Sequence, residues 1–282
     1  MAGSLTLCAT PIGNLEDTSA RVLRVLEEAD ILACEDTRRT RKLLSHFGIR
    51  AKSLVTYNEG NERRKAAELV KEIAGGRKVV LVSDAGMPGL SDPGYRLVRA
   101  SIEAGLAVDV VPGPNAAISA LTVSGLPPGR FVFEGFLPRK AGERRRHIEA
   151  LLHEPRTLVF YESPHRVVAT LQDLAGVLGP RPASVVRELT KMHQEVLRDS
   201  LPALASQMEE QGPRGEIVLV VGGAVHESKP SIEPEDLAAR ARALMEGGMD
   251  RKAALSAVAK EAGVAKREVF DALVAEDKSA ED

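Results

Sequence analysis

The sequence predicts an α/β protein with two sheet-containing domains and a small all-helical module after them. Three observations carry that expectation. Short β-branched runs alternate with helical periodicity up to about residue 224. The segment "SGLPPGRF" (124–131) interrupts the rhythm with two prolines and two glycines. Beyond "VHESKPSIEPED" (225–236), a polar and proline-broken linker, only helical patterns remain. The expected domains are 1–123, 124–224 and 233–278.

In the first domain, strands are expected at 5–9, 31–34, 54–57, 78–83 and 107–111, where β-branched and aliphatic residues run together. Helices are expected between them. At 18–28, Val22, Leu23 and Leu26 share a face, and 40–47 stops at Gly48, which suits a left-handed cap. Segment 62–74 repeats apolar residues at Ala66, Leu69, Val70 and Ile73; 95–104 and 116–123 follow. This spacing argues for a parallel sheet covered on both faces.

The second domain reads as strands 131–136, 157–161, 183–187, 195–198 and 216–221, with helices 143–152, 166–178 and 201–210. In "ESPHRV", Ser163 is expected to cap the second helix, with Pro164 at its first position. Neighbouring strands near 185–198 invite antiparallel pairing, so this sheet is expected to be mixed. In the tail, Asp250 caps one helix and Gly263 ends it before a short turn. That layout fits either a helix-turn-helix contacting nucleic acid or a plain packing module.

Composition narrows the function. The formal charge of −2 excludes a uniformly basic molecule, so nucleic-acid contact would need local patches. No stretch is long and apolar enough for a membrane span, and the start lacks a signal-peptide layout, so a cytoplasmic location is expected. Cys8 and Cys34 lie in apolar runs and read as small buried thiols, with no metal site expected.

Three loops follow strand ends: "ATPIGN" (9–14), "SDAGMPGLSDPG" (83–94) and "VPGPNAA" (111–117). Ligands of open α/β sheets bind at such edges. There is no Walker A motif and no G-x-G-x-x-G, and Asp84 and Asp92 would repel phosphate. Ribose hydroxyls and a sulfonium cation would be tolerated, which suits S-adenosylmethionine; alone, the acidic loop suits a sugar or a metal ion as well.

The stretches "ATPIGNLEDTSARVL", "ACEDTRRTRKLL", "SDAGMPGLSDPG", "VPGPNAA", "FYESPHR" and "RELTKMHQE" together resemble the ribosomal RNA small subunit methyltransferase I family. That family is the cytidine 2′-O-methyltransferase branch of the tetrapyrrole methylase superfamily. The resemblance runs from about residue 5 to the end. It implies class III methyltransferase architecture, a homodimer, S-adenosylmethionine between two domains, and 16S rRNA of the assembled small subunit as substrate. Motif matching implies cofactor contacts at Pro11, Ser83, Asp84, Met87, Asn115, Ala116, Tyr161 and Leu189. The first loop holds one glycine where the superfamily has several, and Val82-Ser83-Asp84 replaces Gly-Gly-Asp.

The resemblance also puts Glu35 where tetrapyrrole methylases keep a proton-accepting Asp, making it the candidate base; Asp36, His165 and Lys191 are alternatives. For RNA, "CEDTRRTRK" (34–42) offers Arg38, Arg39 and Arg41 near a helix start, where cations disfavour the helix and phosphate contact would explain them. "PRKAGERRRH" (138–147) adds Arg139, Lys140, Arg144 and Arg145, where a solvated helix face is the alternative; the two patches together favour an RNA track. Competing functions are methylation of a tetrapyrrole precursor, a non-catalytic RNA-binding assembly factor, and a sugar or NAD-type enzyme.

Overall fold

Apolar runs build the first sheet, and those at 31–34 and 79–82 are buried on both sides. The computed structural model describes residues 3–212, 214–225 and 234–279. Strands β1 (Ser4–Cys8), β2 (Ile31–Cys34), β3 (Leu54–Thr56), β4 (Lys78–Val82) and β5 (Ala107–Val111) take the order β3-β2-β4-β1-β5. Every pairing among them is parallel, as expected. Leu5, Ala33, Val79 and Leu81 face α3 (Glu62–Ala74) and α4 (Tyr95–Glu103), meeting Leu69, Ile73 and Leu97. Cys8, Leu32, Cys34, Val80 and Val82 turn the other way, onto α1 (Ala20–Glu28) and α2 (Thr37–His46). Both cysteines are buried thiols, and Leu81→Ala here would cost about 2–5 kcal/mol.

Helix α2 begins three residues before its expected start. The Asp36 carboxylate accepts a hydrogen bond from the Arg38 backbone N–H at 2.8 Å, so it is Asp36 that caps the helix. Ser163, by contrast, is no side-chain cap. Its carbonyl closes a turn by accepting from the N–H groups of Arg166 and Val167, and α7 (Val167–Leu178) starts only afterwards.

The second sheet is mixed, in the order β6-β7-β10-β8-β9. Its strands are β6 (Phe131–Phe136), β7 (Thr157–Glu162), β8 (Pro182–Arg187), β9 (Glu195–Ser200) and β10 (Ile217–Val221). β6 and β7 are parallel; β10 is antiparallel to β7 and β8, and β9 to β8. One face packs on α6 (Ala141–Glu149), α7 and α8 (Leu201–Gln211) through Ile148, Leu171, Leu174, Leu204 and Met208. The other face is covered by α5 (Ala116–Ser124), which arrives directly from the first sheet. Its Ala117, Ala120 and Leu121 meet Val159, Val186 and Val220. This shared helix is a physical reason why both sheets fall in one compact unit, ending at Ala224.

A second unit holds α9 (Pro234–Glu246), α10 (Arg251–Ala262) and α11 (Lys266–Ser279), with a core of Leu237, Ala241, Leu255, Val258, Val269 and Leu273. Asp250 accepts from the Ala253 N–H at 3.1 Å, and Gly263 ends α10 at φ +71°, both as expected. Most of the expected linker at 225–236 lies outside the described residues. No helix among the described residues is long and apolar enough to cross a membrane.

Candidate functional site

The carboxyl ends of the parallel strands carry the site, and backbone bonds lock their loops together. Thr10 N–H donates to the Gly86 carbonyl at 2.9 Å, and Gly86 N–H donates back to Thr10 at 3.0 Å. The Ser83 hydroxyl, itself buried, donates to the Gly86 carbonyl at 3.0 Å. Gly86 has φ +80°, a conformation L side chains rarely adopt, and a Cβ there would stand 3.2 Å from Ile12 Cγ2. Gly13 brings the first loop against the strand-8 side of the fold: a Cβ at 13 would lie 2.5 Å from Lys191 Cγ. Asn115 caps α5 by accepting from the Ile118 N–H at 3.0 Å.

Two adjoining cavities open at this edge, each of about 330 Å³. The first takes five of the expected cofactor residues, Met87, Asn115, Ala116, Tyr161 and Leu189. Asp92, Glu162 and Glu216 also line it, and among its described lining residues there is no Lys, Arg or His. The second takes the other three, Pro11, Ser83 and Asp84, together with Arg39, Thr40, Lys42 and Leu43 from α2. Ile12, Ala85 and Glu216 line both, so the cavities share a wall.

The acidic loop is therefore divided: Asp92 serves the first cavity and Asp84 the second. Burial, followed by the charges of Glu35 and Asp84, pushes the Asp92 carboxyl up to about 6. Burial and then Asp84 likewise raise Glu35, which sits half-buried just past β2 and lines neither cavity. Asp84 accepts from the Asp36 backbone N–H at 3.0 Å and pairs with Arg39 at 3.5 Å. Repulsion of phosphate by Asp84, inferred from its own loop, is thus offset by a cation from another element.

Of the alternative bases, Asp36 is held to about 2 by the Arg38 side chain and backbone, and so is a poor proton acceptor. Lys191 pairs with Glu188 at 2.8 Å and Glu216 at 3.2 Å. Burial disfavours its charge, but those carboxylates outweigh it and raise its pKa, holding the proton. His165 is exposed on the turn before α7.

The arginine patches sort by helix phase. Arg38 pairs with Asp36 at 2.8 Å, while Arg39 and Lys42, three residues apart, both reach the second cavity. Arg41, Arg139 and Lys140 are exposed. Arg144 must be removed from the RNA-facing set. It is buried, its guanidinium meets Asp173 at 2.6 Å, and it donates to the Arg139 carbonyl. Arg145 reaches the same Asp173 at 2.7 Å but stays largely exposed.

Residues at the site that sequence reasoning missed include Phe136, Glu162 and the 215–218 segment. Loops after strand carboxyl ends are the sequence signal for such a site, and the 215–218 segment precedes a strand. β10 runs antiparallel, so its amino end, with Ile217 opposite Glu162 and Arg187, falls at this same edge.

Comparison with known proteins agrees with this architecture. The family model for Tetrapyrrole (Corrin/Porphyrin) Methylases matches residues 4–205. The protein called "Ribosomal RNA small subunit methyltransferase I" in Halalkalibacterium halodurans is 45% identical over 275 residues, 95% of this chain and 94% of that one. Its namesake in Synechocystis sp. is 43% identical over 269 residues, 95% and 96% of the two chains. A crystal structure of uroporphyrin-III C-methyl transferase from Thermus thermophilus, complexed with S-adenyl homocysteine, superposes with a TM-score of 0.56 at 21% identity. It covers 78% of this chain and 97% of that one, a likeness of fold.

Proposed function

The chain belongs to the ribosomal RNA small subunit methyltransferase I family of the tetrapyrrole methylases, and from that membership we propose its reaction. It transfers a methyl group from S-adenosylmethionine to the ribose 2′-hydroxyl of a cytidine in 16S rRNA. One observation supports this cofactor above others. The first cavity is lined by Asp92, Glu162 and Glu216 with no cation among its described residues; Arg166 and Lys191 pair with the last two from outside the lining, and Asp92 forms no ion pair among the described residues. Such a lining favours a positively charged ligand and penalises polyphosphates.

The residues present fit the cofactor. Apolar Ile12, Leu189 and Val218 with the Tyr161 ring suit an adenine, and the polar Asn115 side chain adds orientation. Pro11, Ser83 and Asp84 line the second cavity instead, beyond the shared wall at Ala85, so the proposed cofactor contacts are the other five expected positions. When bound, the cofactor supplies an electrophilic methyl on a cationic sulfur. The protein's part is to align the ribose oxygen and take up its proton. Alignment supplies most of the rate, and Glu35, close enough to Asp84 of the second cavity to feel its charge, is the proposed general base, a role worth about 10²–10⁴-fold. Arg38, Arg39, Arg41, Arg139, Lys140 and Arg145 would follow the RNA strand. The working form is proposed to be a cytoplasmic homodimer.

Radiolabelled methyl transfer to small ribosomal subunits, followed by nucleoside mass spectrometry, tests the assignment. The expected product is 2′-O-methylcytidine. Label in a base, or in a porphyrinoid supplied in place of RNA, would overturn it.

A further inference from the structure

We propose that the second cavity is the subsite for one nucleotide of the substrate RNA strand, with Arg39 and Lys42 holding its phosphate. This rests on the methyltransferase reading above and adds to it the place where the acceptor sits.

The lining matches a nucleotide part by part. Arg39 and Lys42 project from one face of α2, separated by a single helical turn. Lys42 is exposed and forms no ion pair among the described residues. Arg39 is 65% exposed, and its contact with the part-buried Asp84 is long, at 3.5 Å. A phosphate can therefore recruit both cations without breaking a buried interaction. Asp84 and Glu216 are acceptors for ribose hydroxyls. Leu15, Leu43 and Pro11 supply apolar surface for a base or sugar face. Free phosphate would use only the cations, and an uncharged sugar would leave them idle; a nucleotide uses all three sets.

The position matters as much as the chemistry. Ile12, Ala85 and Glu216 line both cavities, so a donor in the first meets an acceptor in the second across one shared wall. Near-attack geometry requires such an arrangement, with reacting atoms about 3–3.5 Å apart. Lys42 was not among the cations expected to touch RNA, because a cation run read as sequence does not reveal which members face a cavity.

The test measures methyl transfer to unmethylated small ribosomal subunits at several salt concentrations, with calorimetry of S-adenosylhomocysteine on the same proteins. Lys42→Ala and Arg39→Ala should each raise KM for subunits about five- to thirtyfold. Each should also make log(kcat/KM) less steep in log salt by about one unit. S-adenosylhomocysteine affinity should stay within about twofold. Lys71→Ala, an exposed α3 lysine lining neither cavity, controls for net charge and should match wild type. An unchanged KM and salt slope in the Arg39→Ala/Lys42→Ala double variant would overturn the subsite. So would loss of S-adenosylhomocysteine binding in parallel with activity, which would give this cavity to the cofactor. A wild-type protein that labels no subunit RNA would instead sink the methyltransferase reading itself.

Discussion

Phe136 and Tyr161 stand on the same face of the second sheet with ring centroids 5.6 Å apart, although strand parity in β6 would put Phe136 opposite Phe133. A bulge between Phe133 and Gly135 explains it. Phe133 pairs with Val159, but after the extra residue Phe136 pairs with Tyr161, so both phenylalanines meet the tyrosine ring. The bulge thus delivers Phe136 to the first cavity.

Gly135 makes this possible at φ +62°, and a Cβ there would sit 3.2 Å from the Ser91 hydroxyl. Gly135→Val should destabilise by at least about 1–2 kcal/mol. It should also weaken S-adenosylmethionine binding, because both walls of the cavity shift. Denaturant melts and calorimetry on one preparation check both effects, and a variant with wild-type values would show that the bulge survives without glycine.

Glu35→Gln keeps shape and removes the proton acceptor. Single-turnover methyl transfer should slow at least tenfold, with cofactor affinity intact since Glu35 lines neither cavity. Unchanged single-turnover rates would take Glu35 off the list of bases.

Asp173 is the anchor for two arginines, one of them buried with it. Asp173→Ala strands the Arg144 charge, and the loss should be about 3–5 kcal/mol in denaturant unfolding. Arg144→Met should alter stability while leaving KM for ribosomal subunits near wild type. A large KM effect in a fully folded Arg144→Met protein would restore Arg144 as an RNA contact.

Asp92 predicts a pH dependence of cofactor binding. Its carboxyl, near 6, is neutral below that pH and anionic above it. S-adenosylmethionine, carrying a sulfonium charge, should therefore bind about three- to tenfold tighter at pH 7.5 than at pH 5. S-adenosylhomocysteine should change less, and Asp92→Asn should flatten the profile; calorimetry across that range decides. For stability the sign is opposite. The folded state holds this proton more tightly than the unfolded chain does, so the contribution is present at low pH and lost as pH rises through about 6.

Sequence alone determined what depends on local chemistry. The order and type of the elements, the parallel first sheet and the loops at its carboxyl ends all follow from apolar period and turn residues. Gly48 at φ +69° and Gly263 at φ +71° end helices where expected, because glycine's freedom is a property of the residue itself. The eight expected cofactor positions also came from sequence, through motif resemblance rather than through period or charge.

Only the tertiary structure decided which groups face each other. Asp84 and Asp92 share one loop yet serve different cavities, and Asp84 meets an arginine from α2. Arg144 and Arg145 are adjacent, but about 100° of helix rotation sends one into the core beside Ile148 and leaves the other in solvent. The amino end of β10 reaches the site because its neighbours run the other way. Helix phase against a neighbour, strand direction and bulge parity are set by contacts between residues far apart in the chain, and local pattern carries little record of them.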